Sequence, residues 1–170
     1  STITVMAPQE QDKPGDLRVY RRGNYNTPGD HAPRRVLQII EGENHAPLET
    51  PQSGRLELAR WIAQKNHPLT WRVMVNRLWK GHFGKGIVAT SGNFGELGAR
   101  PTHPKLLDWM SHQLINNNGS LKKLHRMVLT SSTLGQAHIN DPRAAEIDPE
   151  NHWLWRMPRR RLEAEPLRDS

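Results

Sequence analysis

Apolar positions cluster most sharply between Val73 and Val88, in the run VMVNRLWKGHFGKGIV. From Trp71 they recur at three- and four-residue spacing, as Trp71, Met74, Val75, Leu78 and Trp79. That spacing is one wide face of an amphipathic helix, with Arg72, Asn76, Arg77 and Lys80 largely off it. Thr70 is expected to cap this helix through its hydroxyl. Gly81 and Gly84 are expected to stop it, and Gly86 to Ala89 to leave as a short extended exit. Two tryptophans on one helix make it the expected core helix of the domain.

The same periodicity places three more helices. Ser53 caps a first one, about Arg55 to Lys65, whose Leu56, Leu58, Ala59, Trp61, Ile62 and Ala63 form a broad face; Pro68 ends it by disfavouring helix at His67. The short link to the central helix predicts two antiparallel neighbours. A third helix starts behind Thr102 with Pro104 in its first turn, buries Leu106, Leu107, Met110 and Leu114, and stops at Asn116–Gly119. Trp109 sits beside its buried face. Trp61, Trp71, Trp79 and Trp109 are all read as core residues. Ser120 caps a fourth helix, with Leu121, Leu124, Met127 and Val128 facing inward.

Outside these helices the pattern weakens. Ile3–Met6 and Leu17–Tyr20 read as short strands, and RRGNYNTPGDHAPRR as a turn-rich basic loop. Val36–Ile40 is a short apolar run, and 41–52 reads as linker. Residues 137–149 read as a polar connection, and Arg159–Glu165 as a short helix limited by Pro166. The expected fold is mainly α. It has a four-helix core (about 55–65, 70–82, 103–117 and 120–131) and a short C-terminal helix. The expected organisation is an irregular N-terminal arm over 1–52, a helical core over 53–136, and a polar connection with a truncated Arg-rich helix over 137–170.

Composition narrows this further. The 170 residues suffice for one domain with a modest core, since only 35% are hydrophobic and Gly and Pro number 13 each. The net charge is +7, and 17 of the 24 basic residues are arginine, which suits bidentate ion pairs, phosphates or acidic partners. The absence of cysteine removes disulfides, thiolate metal sites and covalent haem attachment within this chain. No apolar run reaches the 18 residues or so that a membrane span needs. Without an initiator Met or signal peptide, and ending inside an apparent helix, the chain is expected to be a module of something larger.

SGRLELARWIAQKNHPLTWRVMVNRLWKGHFGKGIVATSGNFGELGARPTHPKLLDWMSHQL, GSLKKLHRMVLTSST and DPENHWLWRMPRRRLEAEPLRDS closely resemble the C-terminal domain of unknown function of planctomycete cytochrome-c-containing exported proteins. VYRRGNYNTPGD resembles the segment that precedes it, so the likeness runs from about Leu17 to the end. The resemblance implies an exported or periplasmic, multidomain parent. It also implies haem only on an upstream domain, upstream domains as partners, and a role connected with polysaccharide breakdown. It assigns no catalytic residues. The chain departs from the family pattern at Leu134–Gln136, where Tyr-Arg-Gln is common, and after Asp169.

The residues that could carry chemistry are few. His82 ends the central helix, Glu96 lies in the glycine-rich loop Thr90–Pro104, and His103 opens the third helix; together they could do acid–base work or bind a divalent metal. The plainer alternative is that both histidines bond loop carbonyls and Glu96 pairs with Arg77 or Arg100. Asp108 and His112 share a helix face at i, i+4 spacing. Arg77, Asn93 and Asp108, with Arg159, Arg160 and Arg161, are the candidate ligand-binding residues; no metal site is assigned. No H-E-x-x-H, G-x-S-x-G or phosphate-loop motif occurs. The functional reading is an uncharacterised helical accessory or interaction module of a polysaccharide-related exported protein, binding a polysaccharide or another acidic ligand. Its alternatives are a small hydrolase of carbohydrates or esters, and non-specific nucleic-acid binding through the arginines, which ranks last.

Overall fold

In the computed structural model the described residues are 9–10, 12–42 and 45–159. Among them lie two strands and six α-helices, so the protein is mainly helical with a small sheet. The chain divides into two compact units, Ser1–His67 and Pro68–Ser170.

The first unit contains β1 (Leu17–Tyr20) and β2 (Pro28–Ala32), paired antiparallel with Leu17 opposite Ala32 and a register shift between Arg18 and Tyr20. β2 corrects the expectation of a loop there. Its strand sequence, PGDHA, has almost no β propensity, and the hairpin itself holds it. Two short helices follow, α1 (Gln38–Glu41) and α2 (Arg55–Ile62). Helix α2 ends three residues before the expected Lys65, and its predicted apolar face is largely open: only Trp61 is buried. The indole Nε1 of Trp61 donates to Glu41 at 2.6 Å, and its ring meets His67 edge-on. The expected strand Ile3–Met6 lies outside the described residues.

The second unit carries the principal core. It is built from α3 (Thr70–Phe83), α4 (Pro104–Asn116) and α5 (Leu121–Leu129), which pack on one another. The four-helix core is thereby corrected to three helices here, because α2 belongs to the first unit. Val75, Trp79 and Phe83 of α3 meet Leu107, Met110 and Leu114 of α4, with Leu124 and Val128 of α5 and Ile87 and Val88 closing the cluster. Trp79 stacks on Phe83 with ring centroids 4.2 Å apart. Trp109 is 50% exposed, so it is not a core residue; it lies one position off the Leu107–Met110–Leu114 stripe.

The helix ends are mixed. Ser120 caps α5 by accepting from Lys123 N–H. Gly84 takes the positive φ of 80° that ends α3, while Gly81 is inside the helix. Thr70 is the first helical residue rather than the cap, which is Leu69. Thr102 does not cap α4 either: its hydroxyl donates to Ile87 O, and His103 occupies the cap position. A sixth helix, α6 (Pro142–Ile147), stands within the expected polar connection. Asp141 accepts from Arg143 and Ala144 N–H, and Pro142 fills the first position where no donor is needed. The expected C-terminal helix falls outside the described residues, apart from Arg159, which is exposed and non-helical.

Candidate functional site

The loop from Thr90 to Pro104 is pinned by its own polar residues. Thr90 Oγ1 donates to Asn93 O at 2.8 Å and accepts from Ala99 N–H at 2.9 Å; Asn93 Oδ1 accepts from Gly95 N–H. Asn93 is thus a loop pin. The exit from α3 is held harder still. Fully buried Asn76 donates from Nδ2 to Val88 O at 3.0 Å and accepts Val88 N–H on Oδ1 at 2.8 Å. A Cβ on Gly86 would meet Val88 O at 2.6 Å and both side-chain atoms of Asn76 at 2.8 Å, so the chain can make this approach only with glycine there.

The three sequence candidates have separate surroundings. His82 Nε2 is 2.9 Å from His125 Nδ1 on α5. His103 Nδ1 is 2.9 Å from Thr102 Oγ1, and its ring meets Trp153 edge-on at 5.5 Å. Glu96 is exposed and forms no ion pair with Arg77 or Arg100. No hydrogen bond, ion pair or ring contact joins His82, Glu96 and His103 to one another among the described residues. Among those residues no group of three His, Asp or Glu side chains is placed to hold a metal.

Asp108 accepts Arg72 Nε from α3 at 2.6 Å, and the same guanidinium donates to Pro68 O. This pair stands at a cavity of about 290 Å³ beneath the glycine-rich loop, whose other walls include Leu69, Phe94, Pro101 and Leu107. The loop therefore lines part of a cavity, whose walls are largely apolar and whose Arg72–Asp108 ion pair is already satisfied.

A denser polar site forms after α6. Buried Asp148 accepts His152 N–H at 2.9 Å and Trp153 N–H at 2.8 Å, and its carbonyl accepts Trp155 Nε1–H. Desolvation raises the Asp148 carboxyl, and those two backbone donors, together with the nearby His152 and Lys85 side chains, more than offset it, holding the group below the usual carboxylate range. Glu150 is lowered by Lys85 Nζ at 3.2 Å and by His152 at 3.0 Å. Asn151 ties the loop shut, donating to Arg156 O and accepting from Arg156 N–H. Arg156 lies over the Trp155 ring at 4.7 Å and donates to Asn140. These residues border a cavity of about 320 Å³ lined by His138, Glu150, Asn151, Arg156, Met157 and Arg159, among others. Arg160 and Arg161 lie outside the described residues. The dense polar run D-P-E-N-H-W was the available signal for this loop, and an isolated His125 gave none for its pairing with His82.

Because its folded-state value is depressed, Asp148 contributes stability that is full above the unfolded value of about 3.9 and is lost as pH falls through the lower folded value. Asp148→Asn is expected to melt lower than the parent at pH 6, with the gap narrowing toward pH 3. Parallel melting curves across that range would show that the carboxylate is not coupled to folding.

No helix among the described residues is long and apolar enough to cross a membrane. None of the curated proteins and none of the solved structures matches the chain. A family model does, over residues 54–170, which include α2 to α6 and the two cavities described above. The chain belongs to the PSD1 family, proteins of unknown function (DUF1553).

Proposed function

We propose that this is a non-catalytic accessory module of an exported planctomycete-type multidomain protein, and that it holds an acidic polysaccharide at the cavity after α6. The observation that carries the reading is the balance of charge there. The loop's own acids are occupied: Asp148 by backbone N–H groups, Glu150 by Lys85 and His152. Arg156 and Arg159 line the cavity and form no ion pair among the described residues. Guanidinium groups suit the planar carboxylate or sulfate of an acidic sugar, and Trp153, 68% exposed in the same loop, offers a ring for its apolar face. The resemblance to cytochrome-c-containing exported proteins supports the rest: an extracytoplasmic setting, upstream domains as partners, and haem held there. A hydrolytic site made from His82, Glu96 and His103 is the weaker reading, because each imidazole has a different partner.

Calorimetric titration with an oligogalacturonide and with a neutral cello-oligosaccharide tests this. The acidic sugar is expected to bind and the neutral one not. Arg156→Gln with Arg159→Gln should weaken binding by more than about tenfold, the scale of one lost charge-assisted contact. Arg21→Gln with Arg22→Gln removes the same charge from the first unit and should change little. Equal binding of both sugars, or equal losses in the two double variants, would leave only non-specific attraction to a +7 chain.

A further inference from the structure

We propose that His82 and His125 form a two-imidazole site for a divalent transition metal, with copper(II) the preferred ion. This rests on different residues from the polysaccharide reading and stands apart from it. His82 comes from the last turn of α3 and His125 from the middle of α5, so the pair joins two packed helices. Their facing nitrogens, Nε2 and Nδ1, are 2.9 Å apart, and the rings are inclined at 70°. As a hydrogen bond, this contact leaves one proton between two ring nitrogens. A metal ion can replace that proton by binding to one side of the N–N line, once the rings tilt so that both lone pairs meet it.

The spacing selects the geometry. Two nitrogens about 2.0–2.1 Å from one metal are about 2.9 Å apart when cis on a square plane, and about 3.3 Å apart on a tetrahedron. The observed 2.9 Å fits the square plane that copper(II) and nickel(II) prefer, and copper(II) binds nitrogen ligands most tightly of the first-row divalent ions. Tetrahedral zinc would have to open the pair. The C-terminal carbonyl end of α3 favours a cation beside His82. Lys80 on α3, and Lys122 and Arg126 on α5, lie close in sequence and oppose it, so the site should be of moderate affinity. His125 is exposed and His82 half-buried, so solvent and further ligands can reach the pair.

The test is titration of the full chain with copper(II) at neutral pH, read by electron paramagnetic resonance and by thermal melting. One saturable site with a two-nitrogen signature is expected, with a rise in Tm from linking α3 to α5. His82→Asn and His125→Asn should each weaken it by more than about tenfold, while His138→Asn leaves it unchanged. Zinc should raise Tm less than copper. Copper binding and a Tm rise that persist in both single variants would overturn the proposal by placing the metal elsewhere. So would the absence of any saturable binding to the parent chain. Circular dichroism of the metal-free variants checks that each is folded.

Discussion

Replacing Asn76 by alanine is expected to destabilise the second unit by about 2–6 kcal/mol. The side chain is fully buried and satisfies both backbone groups of Val88, donating at 3.0 Å and accepting at 2.8 Å. Its removal strands a buried N–H and a buried C=O, each costing about 1–3 kcal/mol. Against a total stability of about 5–15 kcal/mol for an ordinary domain, that is enough to threaten folding. The identity of the residue matters as much as its polarity. Asn76→Asp keeps the acceptor for Val88 N–H but turns a second acceptor, carrying charge, toward Val88 O, so it should be no better than alanine. Gly86→Ala attacks the same clamp from the other side, because its Cβ would lie 2.6–2.8 Å from Val88 O and the Asn76 amide. Urea denaturation of the three variants measures this. A loss below about 1 kcal/mol for Asn76→Ala would mean that water enters and replaces both bonds.

That clamp marks where the sequence stops being legible. The apolar stripe of α3 reads directly, and Val75 and Trp79 are buried as the spacing requires. Asn76, adjacent to them, reads as a polar residue off the stripe. Its burial depends on the chain turning back after Gly84, which local periodicity does not encode. The same limit explains α2. Its apolar residues fit a helical face, yet only Trp61 is buried, since a face needs a partner and the pattern does not supply one. Asp141-Pro142 carried a readable helix start, but the six residues of α6 are too few for a hydrophobic period.

The candidate site shows the same division between local and non-local information. Asn93 and Thr90 make local turns that a glycine-rich loop suggests, and they do pin it. His82 was singled out from its helix end, but its neighbour His125 lies 43 residues away and on another helix. Asp108 was paired with His112 by helix spacing, and Arg72, 36 residues distant, takes it instead. Arg72 reaches the carboxylate as an ionised donor on a long side chain from another helix, a pairing that spacing within α4 does not encode.

Trp79→Ala is expected to cost about 3–5 kcal/mol, the usual range for truncating a buried large aromatic. The indole is 7% exposed and lies in the cluster where α3 meets α4 and α5, so no single neighbour can collapse into the space it leaves. Part of the loss is specific to the ring. Trp79 and Phe83 stack at 4.2 Å with planes 27° apart, a pairing worth about 0.5–1.5 kcal/mol beyond area burial. Trp79→Phe should keep the stacking and lose mainly volume, so it should fall well short of the alanine cost. A double-mutant cycle with Phe83→Ala isolates the ring–ring part, since the two side chains touch and their losses should not add. Trp109→Ala is the internal control: half-exposed on α4, it should stay within about 1 kcal/mol of the parent. Thermal melts of the parent and these five variants decide the matter. Comparable shifts for Trp79→Ala and Trp109→Ala would mean that α3 presents a different face to the core, and the stripe from Val75 to Phe83 would have to be reassigned.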